Sequence, residues 1–585
     1  MKNFLVFLFL GFNISAVWAQ NEDNLWLFGY DSNEYPEHPG IDRFVFDFSD
    51  SLTISSFSSE TMWLLDTYSS ICDSEGNLLL LSNGCYIEKA NSEYLSNSYG
   101  LNPGLLGLDQ CYDDSSGYNV PQSMIMLPDP GNPTQFHLFH YPLIISDGNF
   151  ILRNLLHTVV DLSANSGEGT TLVKNQIVVD DTLDADGLHA VRHANGRDWW
   201  VICAKRRAPT FHFLLLTPDT ILTHAQTIGD SNTVTTYGEI VFSPDGSNLA
   251  RFDAKDDLFL FDFDRCTGML SNPLHIPITD DSDNENYAGL AFSADGRYLY
   301  AAEVKRLLQF DMQAADIAAS QTLVAERILN PDCALGQGIV FLELAPDGRI
   351  YCRPPNGQRC MHRLARPELP GPAAQLEQYY YKFDFAYKNL PHFPNFRLGP
   401  LDGSPCDTLG LDNHPLANWR YDRTGGLGVD FTSVSWYEPT LWQWDFGDPA
   451  SGAANNSGER NPAHTFSAPG AYEVCLTVSN AYGSDTKCKT VWVLATSLTP
   501  RPPLQRRGGV ILWPNPTTGE LRWRGLPEGE AVTVRVFDAL GRLAAERETP
   551  EGFIRLDGLP AGLYQVLLTD GSGKMLGGGA VVVAE

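Results

Sequence analysis

The chain has 585 residues, enough for about four domains at roughly 150 residues each, which excludes a single small module. Lys and Arg number 40 against 71 Asp and Glu, and the resulting formal charge of −31 repels phosphate backbones and argues against nucleic-acid binding. With 43% hydrophobic and 19% charged residues the composition is that of folded material, and 51 Gly, 37 Pro and 11% aromatics favour short strands and tight turns, as in an all-β secreted protein.

Residues 1–19 read as a signal peptide: Lys2 supplies the positive start, Phe4 to Phe12 the apolar run, and Val17-Trp18-Ala19 a small-residue cleavage site. The run is too short for a membrane span, which takes about 20 apolar residues, and no later segment approaches that length, so no transmembrane helix is expected. In an exported chain, the 11 cysteines point to disulfides with at least one thiol left over. Cys352 and Cys360 flank the turn Pro354-Pro355-Asn356-Gly357, and Cys475 and Cys488 lie nearly symmetrically about a turn at Asn480 to Ser484. Both pairs are expected to bridge adjacent strands.

Over residues 20–402 a unit recurs. Val241-Phe-Ser-Pro-Asp-Gly246, Ala291-Phe-Ser-Ala-Asp-Gly296 and Leu344-Ala-Pro-Asp-Gly348 each place an apolar strand before an Asp-Gly turn and an alternating strand after it. Weaker copies end at Gly76, Gly131 and Gly196. A period near 50 residues with about four strands per repeat suits a β-propeller, whose blades bury both faces only by stacking in a ring. Seven blades are expected, with the strands at Leu25–Gly29, Arg43–Phe48 and Tyr379–Phe385 sharing one blade to close the ring.

The copies around Gly196, Gly246, Gly296 and Gly348 resemble WD40-like and YVTN-type propellers of secreted Bacteroidota proteins, and Leu390-Pro-His-Phe-Pro-Asn-Phe396 is similar to the segment that often follows them. The resemblance implies a fold and not a chemistry, since propellers host hydrolases, lyases and binding platforms alike. His189 and His193 have the spacing of a zinc-binding helix, but they lie on a strand, where side chains four apart are about 13 Å distant. No metal or cofactor is expected there. The acidic run Asp280 to Asn286 offers oxygen ligands for a structural Ca²⁺ but lacks the glycine and terminal glutamate of an EF-hand loop, so it reads as a solvated connection. No nucleophile elbow, phosphate loop or nucleotide fingerprint is present, and no catalytic residue is singled out. Trp63, Trp199 and Trp200 are the candidate ligand contacts, as flat platforms on the propeller rim for a sugar ring or a peptide side chain, although paired aromatics next to an Asn-Gly turn more often wedge between blades.

Past a turn-rich boundary at Asp402 to Gly410, Trp442-Gln-Trp444-Asp445-Phe446-Gly447-Asp448, Asn461 to Phe466, Pro469-Gly-Ala-Tyr472 and Val474 to Asp485 resemble in order the motifs of a PKD domain over residues 414–495. This implies an immunoglobulin-like sandwich that serves as a spacer or contact module, with Asp445 and Asp448 holding the turn at Gly447. Residues 496–508 read as an exposed linker. Beyond it, over 509–585, Trp513-Pro514-Asn515-Pro516-Thr-Thr-Gly519, then Val532 to Asp538-Ala-Leu-Gly541-Arg542, then Leu556 to Pro560-Ala-Gly562-Leu-Tyr564 are similar to the type A C-terminal sorting domain of the type IX secretion system, a small β-sandwich. That resemblance implies the secretion machinery and its sorting protease as partners, and delivery to the outer-membrane surface or the medium. The basic residues common near the last strand of that family are missing from 577–585. The leading expectation is an extracellular binding or adhesion protein for a polysaccharide or protein ligand. The alternatives are a secreted hydrolase or lyase using the propeller channel, and a structural component of a surface layer.

Overall fold

The computed structural model describes residues 21–29, 42–58, 62–64, 66–104, 111, 117, 120–146, 149–185, 187–230, 238–253, 257–278, 287–330, 333, 337–355, 358–388, 390–493 and, near the C-terminus, 511–513, 520–524, 532–537, 543–549, 553–556, 558–559, 562–569 and 575–583. The signal peptide, the acidic run at 280–286 and the linker at 496–508 lie outside them. The chain is all-β: a propeller, a PKD sandwich and a smaller C-terminal sandwich.

Seven antiparallel sheets follow one another between residues 25 and 387. Blades 1 (25–58) and 2 (69–89) have three strands, blade 3 (124–183) has five, and blades 4 to 7 (189–227, 239–276, 288–326, 340–387) have four each in chain order. The recurring turn explains the recurrence of the blade. Asp245 accepts the Ser247 N–H at 3.0 Å and the Ser243 hydroxyl at 2.5 Å, and Asp295 and Asp347 accept the N–H of Arg297 and Arg349 in the same way. Gly246, Gly296 and Gly348 follow at φ of 71°, 70° and 73°, a region that a Cβ disfavours. The alternating strands then bury their apolar sets between blades. Phe252 and Leu260 of blade 5 share a cluster with Leu290 and Phe292 of blade 6, each worth roughly 1.5–3 kcal/mol.

Ring closure differs from the expectation that the first and last strands share a blade. Strand Asp42–Asp47 is paired on both sides, by Leu25–Phe28 and Thr53–Ser58, and Leu376–Tyr387 pairs with Gln358–Leu364 rather than with an outer edge of that sheet. Blades 1 and 7 meet by their faces instead: Phe44 stacks on Phe383 at 4.1 Å and Phe46 lies 5.3 Å from Tyr381. A buried ion pair completes the closure, with Arg397 donating to both Asp23 oxygens at 2.6 and 2.5 Å.

After the last blade the chain crosses the ring at the end where the Asp-Gly turns lie. His392 donates to the Leu188 carbonyl at 2.7 Å, Asn395 to that of Pro244 at 2.7 Å, and the Leu401 N–H to that of Ala194 at 2.8 Å. A disulfide from Cys266 to Cys406 then fastens the boundary segment to blade 5.

In the PKD sandwich a three-stranded sheet (Trp419–Gly425, Gly428–Ser433, Ala463–Thr465) faces a four-stranded one (Leu441–Asp445, Asn456–Ser457, Gly470–Asn480, Gly483–Val493). Trp419, Phe431, Trp444, Val474, Leu476 and Val478 fill the space between them, with Trp442 partly buried against the same core. Cys475 and Cys488 are directly opposite on adjacent strands and are joined. The C-terminal sandwich packs Leu521 and Ile554 of one sheet against Val534, Val536, Val566, Leu568 and Val581 of the other. Of the sorting motifs, Tyr564 is buried in this core and Gly562 begins a strand, while Pro514, Asn515, Pro516, Gly519, Asp538, Gly541, Arg542 and Pro560 lie outside the described residues.

The expected Cys352–Cys360 bridge is corrected. Cys352 stands opposite His362, two residues out of register with Cys360, which is joined to Cys333 instead. Cys85 and Cys111 form a further disulfide, and Cys72, Cys203 and Cys352 are buried free thiols. No helix among the described residues is long and apolar enough to cross a membrane.

Candidate functional site

The end of the propeller crossed by the segment after the last blade is the first place to look for chemistry. Beside it lies a cavity of about 90 Å³, bounded by His189, Glu343, Phe393, Arg397 and, from the PKD domain, Trp436. Burial pushes the Glu343 carboxyl well above its usual range and that of Glu239 up to about 8, although Glu239 accepts the N–H groups of Leu290 and Leu342 at 2.6 and 3.3 Å. Burial also lowers His189 to about 4 and His392 to about 3, so both are neutral at pH 7. Glu343, Glu239, His189 and His392 are therefore neutral at pH 7, and Arg397 is paired with Asp23. In blade 3 a relay runs from Asp129 to His137 to His157 through two 2.7 Å hydrogen bonds, but all three side chains are buried within the blade.

The expected tryptophan platforms are not formed at two of their three positions. Trp199 is buried under the Arg192 guanidinium, 3.9 Å above its ring, and beside Phe396. Trp200 is wedged between blades 4 and 5 and donates to the Arg265 carbonyl at 2.8 Å. Paired tryptophans after a turn fill the inter-blade space because that is where their strand directs them. Trp63 is half-buried. His193 donates to the Cys266 carbonyl at 3.1 Å, which leaves it and the channel residue His189 in separate places. The described residues hold no cluster of three metal-ligating side chains.

In the PKD turn, Asp445 accepts from the Gly447 N–H at 3.0 Å and from Asn455 at 2.9 Å, while Asp448 accepts from the Ser467 N–H and hydroxyl at 2.8 and 2.5 Å. Phe446 is buried beside Trp444, and Tyr472 donates to the Ala468 carbonyl. These residues hold a turn.

An aromatic platform does exist, on blade 2. Tyr86 is buried, and against it lie Tyr99, stacked at 5.1 Å, and Tyr94, edge-on at 4.9 Å, with 5.1 Å between the outer two rings. The outer rings are 46% and 44% exposed, so two adjoining phenol faces meet solvent. Their backbone is fixed. The Leu95 N–H donates to the Ile87 carbonyl, Lys174 of blade 3 to the Tyr99 carbonyl at 2.6 Å, and Asn175 to that of Gly100 at 2.7 Å. The three tyrosines are eight and five residues apart, a spacing with no periodic meaning; a bridge from Tyr94 to Glu88, the Leu95–Ile87 bond and the clamp to strand Thr170–Leu183 bring them together.

A second surface lies where the PKD domain docks on blades 7 and 1. Arg349 pairs with Asp422 at 2.6 Å, Arg366 with Asp430 at 2.7 Å and Arg420 with Glu368 at 2.8 Å, all across the domain boundary. The Gly348 turn sits so close that a Cβ there would be 2.4 Å from Val434. Between the domains remains a cleft of about 650 Å³, lined by these arginines together with Arg363, Tyr380, Arg423 and Lys489. Burial pushes the Lys489 ammonium down to about 8.

Residues 423–494 match the family described as PKD domain. No curated protein matches the chain. Among solved structures, the PKD1 domain of the Vibrio cholerae metalloprotease PrtV is 30% identical over 14% of this chain and 95% of its own, with a TM-score of 0.12. A putative 6-phosphogluconolactonase from Bacteroides uniformis is 14% identical over 63% of this chain and 98% of its own, with a TM-score of 0.36. PorZ, described as an essential bacterial surface component of the type IX secretion system of Porphyromonas gingivalis, is 12% identical over 93% of this chain and 80% of its own, with a TM-score of 0.21. The propeller itself rests on its seven sheets and their closure.

Proposed function

We propose that this chain is an extracellular recognition protein that binds a polysaccharide through the tyrosine platform of blade 2. The observation that carries the reading is the pair of exposed, immobilised rings of Tyr94 and Tyr99, backed by buried Tyr86. Flat aromatic faces fixed before binding suit the apolar face of a sugar ring, because no side-chain order has to be created on contact.

Delivery belongs to the same proposal: residues 1–19 direct export to the periplasm, and residues 509–585 act as the type IX sorting signal that the machinery and its protease recognise and remove. The mature chain would be incubated with neutral polysaccharides and peptides, and both retained and released material analysed by mass spectrometry. Intact retained glycan, weakened about tenfold by Tyr94→Ala or Tyr99→Ala with the fold unchanged, is the expected result. New fragments would make the protein an enzyme, and self-association without glycan retention a structural layer component. Deleting residues 509–585 is expected to abolish surface display in a host with this secretion system, and persistent display would overturn the export reading.

A further inference from the structure

Beside the tyrosine platform stand two aliphatic side chains that stacking on a bare sugar ring does not use. Strand Thr170–Leu183 of blade 3 runs alongside the segment that carries Tyr94 and Tyr99 and is clasped to it at two points. At the first, Ser96 and Thr170 form a parallel bridge, the Ser96 carbonyl accepts from the Thr171 N–H at 3.0 Å, and the Thr170 hydroxyl donates to the same carbonyl at 3.1 Å. At the second, Lys174 donates to the Tyr99 carbonyl at 2.6 Å and Asn175 to that of Gly100 at 2.7 Å. Leu172 and Val173 lie between the clasps, and bridged backbones are only about 5 Å apart. The approach is close, since a Cβ on Gly169 would stand 2.9 Å from Leu95.

A strand that alternates would turn one of this pair inward. Here Val173 stands opposite Val159 and Thr171 opposite Val160, so Leu172 is an extra residue between them, a β-bulge. Leu172 and Val173 are consequently both turned to solvent, 49% and 38% exposed. Bulges of this kind re-aim side chains beside functional sites. With Tyr94 and Tyr99 they gather four large, exposed apolar side chains along one seam between blades 2 and 3, on a fixed backbone. The charges of the seam do not suit an anion. Lys174 is held by oxygens of Asn97 and Tyr99, Lys89 pairs with Glu93 at 2.9 Å and Glu168 at 3.5 Å, and both of those carboxylates are exposed.

Resting on the polysaccharide reading of the platform, we propose that its ligand is a neutral polysaccharide whose sugars carry an apolar substituent, covered by Leu172 and Val173 while the ring stacks on Tyr94 and Tyr99. The methyl of an acetyl group and the ring methyl of a 6-deoxy sugar share this chemistry. An unsubstituted sugar leaves the two aliphatic side chains in water, and a methyl group laid on them removes apolar area from water on both sides of the contact.

The test is equilibrium binding of matched tetrasaccharides to the full chain: N-acetylglucosamine against glucose, and 6-deoxymannose against mannose, each pair sharing its linkage. The substituted member of one pair is expected to bind roughly fivefold tighter than its partner, and that pair identifies the substituent. The double variant Leu172→Ser with Val173→Thr, altered only at exposed positions, abolishes the preference and keeps the binding of the unsubstituted sugar, whereas Tyr99→Ala weakens both members alike. Equal binding within both pairs, or a preference that survives the double variant, would overturn this inference while binding sensitive to Tyr99→Ala leaves the platform reading standing. No saturable binding of any tetrasaccharide would overturn both.

Discussion

Closing a seven-bladed ring by faces alone places an unusual demand on the few contacts that join its two ends, and the Asp23–Arg397 pair is the most exposed to test. The two residues are 374 apart in the chain, and both side chains are buried, at 9% and 6% exposure. Burial alone lowers the Arg397 pKa, and the adjoining Asp23 carboxylate outweighs it and raises the value. Arg397→Met keeps most of the apolar stem and strands the Asp23 carboxylate without its cation, along with the bond from Arg397 to Asn24 at 3.1 Å. Breaking a buried pair from one side costs about 3–5 kcal/mol, which is roughly 10²- to 10⁴-fold in the opening equilibrium of blade 1. Amide hydrogen exchange reads that directly. Strands Leu25–Phe28 and Asp42–Asp47 are expected to exchange faster by that factor while blades 4 and 5 change little. The double variant Asp23→Asn with Arg397→Met removes the stranded charge and returns much of the protection. Blade 1 exchange within tenfold of the parent, or equal acceleration in every blade, would show that the aromatic faces close the ring without the ion pair.

Gly348→Ala combines a positive φ, worth about 1–2 kcal/mol against a Cβ, with a 2.4 Å clash on Val434, so it is expected to loosen the PKD domain and speed proteolysis of residues 402–413, with the propeller otherwise intact. Thiol alkylation of the native protein should label none of Cys72, Cys203 and Cys352, all buried, and non-reducing peptide mapping should recover Cys333 linked to Cys360. Glu22 and Glu239 have folded pKa values raised to about 7 and about 8, above their unfolded value near 4.5, so the folded state binds more protons in that window. Stability therefore falls as pH rises from about 5 to about 8, by at most about 1.4 kcal/mol per pH unit for each group. Glu239→Gln, whose amide oxygen can still accept from Leu290, is expected to flatten that slope without loss of stability at pH 5 in denaturant titrations, and an unchanged slope would remove Glu239 from the account.

What was legible in the sequence was local. The Asp-Gly turns declare themselves because one carboxylate and one positive φ fit within three residues, and their repetition at 50 and 52 residues counts blades. The PKD motif is legible for the same reason, since Trp444 to Asp448 combines a core position and a turn in five residues. The misreadings are nonlocal. Cys352 and Cys360 look symmetric about a turn, yet the register places His362 opposite Cys352, a two-residue difference that spacing does not reveal. Trp199 and Trp200 suit a rim platform or the space between blades equally in the sequence, because aromatic content does not say which side of a strand faces a neighbouring blade, and the structure buries both. Tyr94 and Tyr99 carried no signal, because the segment of Tyr99 and Gly100 is held by side chains of another blade, Lys174 and Asn175.

The boundary after residue 402 has the composition of a flexible connection, rich in Gly, Ser, Pro and Asp, and the PKD resemblance implies a spacer. The structure makes it a fixed joint. Cys406 is tied to Cys266 of blade 5, Asn413 donates to the Pro400 carbonyl at 2.9 Å, and Asn480 of the PKD domain donates to the Asn413 carbonyl at 2.7 Å. Across the joint run three ion pairs, Arg420–Glu368 being the most buried, and such contacts are directional where an apolar interface would tolerate sliding. An interface of this kind fixes the angle between the domains more firmly than it stabilises their association. A cleft whose walls come from both domains is then already formed before anything enters it, and a ligand that fits pays little to order it.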